Sequence, residues 1–401
     1  MKKIIAMALT VAMTVGIMNV PAYAELTGFK GIGQISVKAA SEELTYGDFK
    51  YVVENDGVTI TKYTGTDSVV TIPNIINGKD VLKIGEKAFY NCSNLKQIKL
   101  PSKLKSMGSR VFEGTGITSI TIPKTLETGS RVFQGAKNLE EVIIEEGMTK
   151  IPAGLMWVDE DNQIQKIKIP SNIESIGASA FENCACLTEL EFGENLKYIG
   201  RFAFLNCKGL KKISFLNNKD TAFEKRIYGQ AFSDCTNLEE VNLSDNISRI
   251  DSYAFHKCSK LKQIKLPSRL KVLEERAFEG TGITSITIPK TLEIACVNNV
   301  ANNGALAGAK ELKEIILEEG MEKIPDRLFH FDDENQVRKV QIPATVKEID
   351  PQIFWHFKAT IYGYKNSYVE TYANKYNIPF ISIGTLEVYN LNLQDYNVNA
   401  Q

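Results

Sequence analysis

The chain has 401 residues, with 47 basic and 48 acidic side chains, an apolar fraction of 43%, three His and two Trp. A formal charge of −1 excludes a polyanion binder built on clustered Lys and Arg, and so few His leave little material for metal or acid–base chemistry. The apolar fraction is ample for a packed core, and the length alone allows two ordinary domains.

Lys2 and Lys3 precede an uncharged, mostly apolar stretch from Ile4 to Val20, followed by Pro21 and Ala22-Tyr23-Ala24. A basic start, a short apolar segment and an A-x-A site predict a signal peptide over residues 1–24, cut before Glu25. The competing reading, an uncleaved anchor, is disfavoured by the shortness of the apolar stretch. Cleavage removes two lysines and takes the charge from −1 to −3. No later run reaches the roughly 18 apolar residues of a membrane span. The longest uncharged stretch, Ile294 to Ala309, contains four Asn. No cysteine near the cleavage site signals a lipoprotein, and there is no LPxTG sequence or basic tail. The expected product is exported and soluble, held non-covalently at a surface if at all. Residues 25–45 read as a flexible segment. Residues 46–83 alternate apolar and polar around Asn55-Asp56-Gly57, a hairpin signal, and read as an N-terminal β cap.

Residues 84–348 repeat. IGEKAFYNCSNLKQIKLP at 84–101 recurs as IGASAFENCACLTELEF at 176–192, IGRFAFLNCKGLKKISF at 199–215 and IDSYAFHKCSKLKQIKLP at 250–267. The shared frame is I-G-x-x-A-F-x-x-C-x-x-L-x-x-I-x-I-P. Twelve units begin at Ile84, Met107, Thr128, Ile151, Ile176, Ile199, Ile227, Ile250, Leu273, Ile294, Ile324 and Ile349. A longer period lies above this one: residues 84–123 match 250–289 at 28 of 40 positions. The match resumes after an Asn/Gly-rich insertion near 298–305, so a block of about seven units is duplicated.

The segment Leu95 to Leu100 predicts a strand with one buried face, and the prolines after such strands (Pro101, Pro123, Pro170, Pro267, Pro289, Pro343) end the ladder. The Ile-Gly step predicts a sharp bend, and Ala-Phe-x-x-Cys a short helical or 3₁₀ turn. A unit this small buries its apolar face only by stacking on its neighbours. The predicted fold is an α/β repeat solenoid, a right-handed coil with a parallel sheet on one side. It closes with a last repeat and C-terminal cap over 349–383, where tyrosines at helical spacing (Tyr368, Tyr372, Tyr376) precede a strand-like Ile378–Ile383. Residues 384–401 read as a flexible tail.

These units resemble the leucine-rich repeats of the BspA-like class, over about residues 46–383. The sequence keeps L-x-x-I-x-I but places Pro directly after it and has no Asn ladder. The resemblance implies a secreted or surface protein linked to adhesion or binding of host proteins.

Seven Cys in an exported chain first suggest disulfides. However, Cys92, Cys184, Cys207, Cys235 and Cys258 fill one column of the repeat, which favours buried free thiols over one or two bridges; Cys186 and Cys296, off the column, are expected to be accessible. His256 and His330 follow the frame Phe, at a position read as solvent-facing. A weak metal or ligand site at His330, His356, Asp332, Asp333 and Trp355 is the alternative to ordinary surface residues. The acidic loops Asp159–Asn162 and Asp332–Asn335 lack the EF-hand pattern and read as solvated loops. No metal, cofactor or catalytic cluster is expected. The remaining candidate is the exposed column of the sheet: Lys99, Thr121, Ile143, Lys168, Glu191, Ser214, Asn242, Lys265, Thr287, Ile316 and Gln341. Its polar members, Ile143 and Ile316 set aside, are the candidate ligand-binding residues. They have no aromatic stripe for stacking bases or sugars. The expected function is protein–protein interaction or adhesion through this face by a monomer, without nucleic acid or membrane insertion. A self-associating or wall-binding envelope component is the alternative, and an enzyme the remotest reading.

Overall fold

The computed structural model describes residues 42–54, 56–220, 222–296, 304–331, 335–351, 353–354 and 358–386. The expected signal peptide, most of the flank to residue 45, most of the insertion near 298–305, Asp332 to Glu334, Trp355, His356 and the tail from 387 lie outside them.

The chain winds as a solenoid whose coils carry two strand positions rather than one. The first is the predicted L-x-x-I-x-I strand. Ser119–Ile122, Glu141–Ile144 and Lys166–Lys168 pair in parallel, as do Glu189–Phe192, Lys212–Phe215 and Glu240–Asn242. A third parallel run joins Ser285–Ile288, Glu314–Leu317, Lys339–Gln341, Thr360–Lys365 and Phe380–Thr385. The second position is the Ile-Gly step. It is a two- to four-residue strand, and one run of it continues in parallel from Lys150–Ile151 to Ile294–Ala295. The expectation of a sheet on one side is therefore corrected to two ladders. Gly follows the buried Ile because the next coil leaves no room: a Cβ on Gly200 would lie 2.6 Å from Ala178 N.

The turn after the Ile-Gly step is not helical. Between residues 84 and 348 no described residue is in an α- or 3₁₀-helix. In most coils two residues adopt the left-handed region, as Lys87 and Asn91 do in the first repeat (φ 55° and 57°). They interrupt any helical run and divide the amides between two partners. Ala88, Tyr90 and Cys92 donate within the coil to Gly85, Lys87 and Phe89 carbonyls, while Lys87, Phe89 and Asn91 donate to Ser109, Val111 and Glu113 of the next coil. The second left-handed position is filled by Asn91, Asn183, Asn206, Asp234, Gly114, Gly135, Gly280 and Gly308, residue types that accept positive φ at least cost, and in one coil by Lys257.

Inside, the frame residues stack in columns. Phe181, Phe204, Phe232, Phe255 and Phe278 are buried face to face, with centroids 5.1–5.8 Å apart and planes within 8°. Apolar rings at one repeat position meet through the coil spacing, so every stacked coil covers its neighbour. Pro101, Pro123 and Pro289 follow strands as read, whereas Pro267 follows a segment that forms none; all four are buried, and each carbonyl takes the N–H of the Leu three residues on.

Phe49–Val53 and Val58–Tyr63 form the expected antiparallel hairpin, preceded by Leu44–Tyr46, which begins inside the segment read as flexible. The cap also supplies a full coil. Val58–Tyr63 pairs in parallel with Lys79–Ile84, Tyr63 stacks on Phe89 at 5.4 Å, and Val69–Thr71 pairs with Gln97–Lys99. At the other end, Ser367 caps the helix Tyr368–Lys375 and the last strand runs Phe380–Thr385. With one further turn at each end, the twelve units become about fourteen turns.

Two unit starts shift by one residue. Met107 is paired with Gly129 rather than Thr128, and Leu273 with Ala295 rather than Ile294. Gly129 and Ala295 point inward, leaving Ile294 42% exposed.

Candidate interaction surface

Strand pairing places the predicted column in three rows. Thr121, Ile143 and Lys168 are register partners, as are Glu191, Ser214 and Asn242. The third row joins Thr287, Ile316 and Gln341, and extends to Tyr362 and Ile381, which sequence reasoning left out although IYGYK and FISI alternate in the same way. Lys99 stands apart, paired with Thr71. Ser214 and Gln341 are half-buried and the other polar members exposed.

Lys265 departs from the prediction. Residues 260–266 form no strand although their sequence repeats 94–100 almost unchanged. Lys265 instead lines a groove of about 350 Å³ with Asn242 and Thr287 on either side. Part of the cause is corner length. From Phe278 to Ile283 the chain takes five steps, where Phe255 to Leu261 takes six, so the next strand is drawn back. The same shortening from Phe112 to Ile117 accompanies the same gap between Gln97–Lys99 and Ser119–Ile122.

Ion pairs cross this face between strands. Lys166 and Lys168 reach Glu141 at 3.4 and 3.6 Å, Lys212 reaches Glu240 at 2.9 Å, and Lys339 reaches Glu314 at 2.5 Å. Alternating charge on register neighbours makes the surface mixed and self-neutralising. Exposed pairs of this kind contribute little stability, on the order of 0–1 kcal/mol each. The opposite ladder carries a more buried chain, in which Arg226 and Arg249 share Asp251 at 2.8 Å and Arg249 continues to Glu274.

The seven cysteines are free thiols. Cys184, Cys207, Cys235 and Cys258 are fully buried, and each thiol donates to a carbonyl of the preceding coil (Met156, Phe181, Phe204, Phe232) at 3.2–3.4 Å. Burial pushes all four well above the ordinary thiol range. Cys296 is buried, contrary to expectation, and pushed up to about 12; Cys186 is half-buried and pushed up to about 11.

The position after the frame Phe is not uniformly solvent-facing. Tyr90 is 47% exposed, but Ser233 is 1% exposed and His256 half-buried. Ser233 Oγ donates to Asp234 Oδ2 at 2.8 Å and lies 3.1 Å from His256 Nδ1. Here the carboxylate and the imidazole both bind one enclosed hydroxyl. The serine proton is directed at Asp234, so the trio is a packing device rather than an activated nucleophile. The acidic loop at 159–162 is used internally: Asp159 accepts from Gln134 Nε2 and Gly135 N, and Asp161 pairs with Lys137. Among the described residues no three metal-ligating side chains cluster, and no helix is long and apolar enough to cross a membrane.

A family model described as "BspA type Leucine rich repeat region" matches residues 60–157, 159–225 and 225–360, in six copies. No curated protein matches the chain. Among solved structures it is similar to a leucine-rich cell surface protein of Faecalibacterium prausnitzii, at 21% identity over 88% of this chain and 98% of that one, with a TM-score of 0.37. The Treponema pallidum (T. pallidum) leucine-rich repeat protein is 25% identical over 55% and 91%, with a TM-score of 0.35. The pneumococcal vaccine antigen PcpA is 16% identical over 85% and 98%, with a TM-score of 0.44. With most of its length matched by that family model, the chain belongs to the BspA-type leucine-rich repeat family.

Proposed function

We propose that the protein is exported, stays at or near the bacterial surface as a monomer, and binds another protein through the sheet face by multipoint polar contact, without catalysis. The observation that carries this reading is the register that sets Thr121 with Lys168, Glu191 with Ser214 and Asn242, and Thr287 with Gln341 in rows on a stacked scaffold. Lys99 and Lys265 flank these rows beside the gaps in the ladder. A solenoid face of this kind suits extended partners. The test immobilises the purified protein against extracellular-matrix and envelope proteins and measures saturable binding. Lys168→Ala, Glu191→Ala and Lys265→Ala should each weaken it. Binding that is absent, or indifferent to all three, refutes the reading.

A second reading is self-association into an envelope layer, favoured by end strands that, among the described residues, are paired on one side only. Val69 on one end strand is 60% exposed, and Ile381 and Ile383 on the other are 45% and 41% exposed. Open strand edges invite pairing with another chain. Sedimentation velocity decides: growth with concentration supports it, and a strict monomer rejects it.

A further inference from the structure

A second groove, of about 710 Å³, lies on the other side of the solenoid, between the third and fourth repeats. Ser109, Glu127, Gly129, Ser130, Arg131 and Trp157 line it. It opens where the Ile-Gly ladder breaks. Glu127 and Thr128 amides donate to Lys105 O, and Glu174 and Ser175 amides to Thr149 O, but among the described residues no such bond joins 149–150 to Glu127. The coils stay joined one step further on, by Arg131 N to Gly154 O at 2.9 Å. A peptide strand therefore has no room to enter between them.

The groove wall is built for a particular chemistry. The Arg131 guanidinium lies 3.9 Å over the Trp157 ring, which holds it flat. No described carboxylate lies within ion-pair distance of Arg131, whereas Glu127 pairs with Lys105 at 3.5 Å. A pre-oriented cationic fork beside an aromatic ring, two serine hydroxyls and a carboxylate matches a ligand carrying an anion next to several hydroxyls.

The internal duplication supplies a comparison within one chain. Residues 110–127 and 276–293 agree at 17 of 18 positions, yet the groove segments on either side agree nowhere: Ser106 to Ser109 face Val272 to Glu275, and Thr128 to Ser130 face Ile294 to Cys296. Where Arg110 N meets Arg131 O at 2.9 Å, Arg276 N meets Gly304 O at 3.0 Å, so Gly304 stands in the place of Arg131. His330 stands in the place of Trp157, and Glu275 in that of Ser109. The second copy has thus lost Arg131 and the indole, gained two carboxylates, Glu274 and Glu275, and carries Arg327 in the place of Gly154. Every position of these two wall segments differs, while on the sheet face Thr121 and Thr287, and Lys99 and Lys265, are the same and Lys168 is replaced by Gln341.

We propose that this groove binds an acidic oligosaccharide, with a uronate carboxylate on Arg131 and sugar hydroxyls on Ser109, Ser130 and Glu127. The site is separate from the sheet face and does not depend on it. Isothermal titration of the purified protein with a hyaluronan or galacturonan tetrasaccharide tests it, with maltotetraose as the neutral control. The acidic probes are expected to bind and the neutral one to bind at least tenfold more weakly. Arg131→Gln and Trp157→Ala should each lower affinity at least tenfold, and Ser109→Glu, which installs the second copy's residue, should abolish binding. Lys168→Ala should leave it unchanged. Thermal melts establish that Arg131→Gln and Ser109→Glu remain folded. No binding of either acidic probe, equal binding of the neutral one, or full affinity in folded Arg131→Gln would overturn the proposal.

Discussion

Raising the pH should unfold this protein through its thiol column. An unfolded thiol titrates near ~8.5, whereas burial holds Cys184, Cys207, Cys235 and Cys258 protonated well above that. The folded chain then keeps protons the unfolded chain has lost, so stability is full below the unfolded value and falls as pH rises past it. Lys225 acts in the opposite sense. Its ammonium is buried against the Leu216 carbonyl and is pushed down to about 8, so between about 8 and 10.4 the unfolded chain holds one proton more. With Cys186 and Cys296, pushed up to about 11 and about 12, six thiols against one lysine leave five protons, or about 7 kcal/mol per pH unit near pH 10. Such a slope removes much of the roughly 5–15 kcal/mol that holds a typical domain within one or two units. Urea midpoints measured from pH 7 to 10 report it directly. Cys207→Ala should flatten the slope by one proton, about 1.4 kcal/mol per unit. A stability that is level from pH 8.5 to 10, or a slope untouched by Cys207→Ala, refutes the reasoning.

The remaining predictions concern packing and access. Phe232→Ala should cost ~3–5 kcal/mol and exceed Phe181→Ala by about 1 kcal/mol, because Phe232 stacks between Phe204 and Phe255 whereas Phe181 has a stacked ring on one side. Lys168→Ala should cost under about 0.5 kcal/mol, and equal urea shifts for the three variants would undo the column assignment. A thiol reagent at pH 8 should reach Cys92 and Cys186 in the folded protein and all seven only in denaturant, with mass spectrometry finding no bridge. Asp251→Ala should cost about 2–4 kcal/mol, since it leaves Arg226 and Arg249 without their shared acceptor; a loss under about 1 kcal/mol in chemical denaturation contradicts that.

The columns were legible because a residue that stacks on its own copies must recur at one frame position, as Phe and Cys do. Coil geometry was less so. The Ile-Gly step reads as a bend, yet two residues suffice for a strand when an identical pair lies one coil away, and a two-residue strand has no alternation to detect. The turn looked helical because Phe and Cys stand three apart. The residue before the Cys column gives the better signal, since Asn, Asp or Gly fills it in every coil named above but that of Lys257, and residue types tolerant of positive φ at one position mark a left-handed turn. Thr128 and Ile294 were placed by counting back from the frame, and the register slip escaped that count because Gly129 and Ala295 are too small to mark a core position. Lys265 was misplaced because its own segment is a faithful copy. The shortened corner that opens the sheet belongs to the following unit.

Lys265 shows what a repeat can and cannot specify. Within a coil, side-chain direction follows from the frame, so Lys265 points outward whether or not its strand is paired. Between coils, a corner that is one step shorter in the following unit accompanies an unpaired strand beside both Lys99 and Lys265, and that relation belongs to two units rather than to one. Duplication copies both kinds of information together, and for that reason the gap beside Lys99 recurs beside Lys265. A gap set by corner length is reversible in a defined way. Inserting one residue between Gly280 and Ile283 should restore a six-step corner, let 263–265 pair with 285–287, and narrow the groove on its Thr287 side. Hydrogen exchange reads this as slowed amides at 285–287. Exchange unchanged in a folded insertion variant would mean that corner length does not control the ladder.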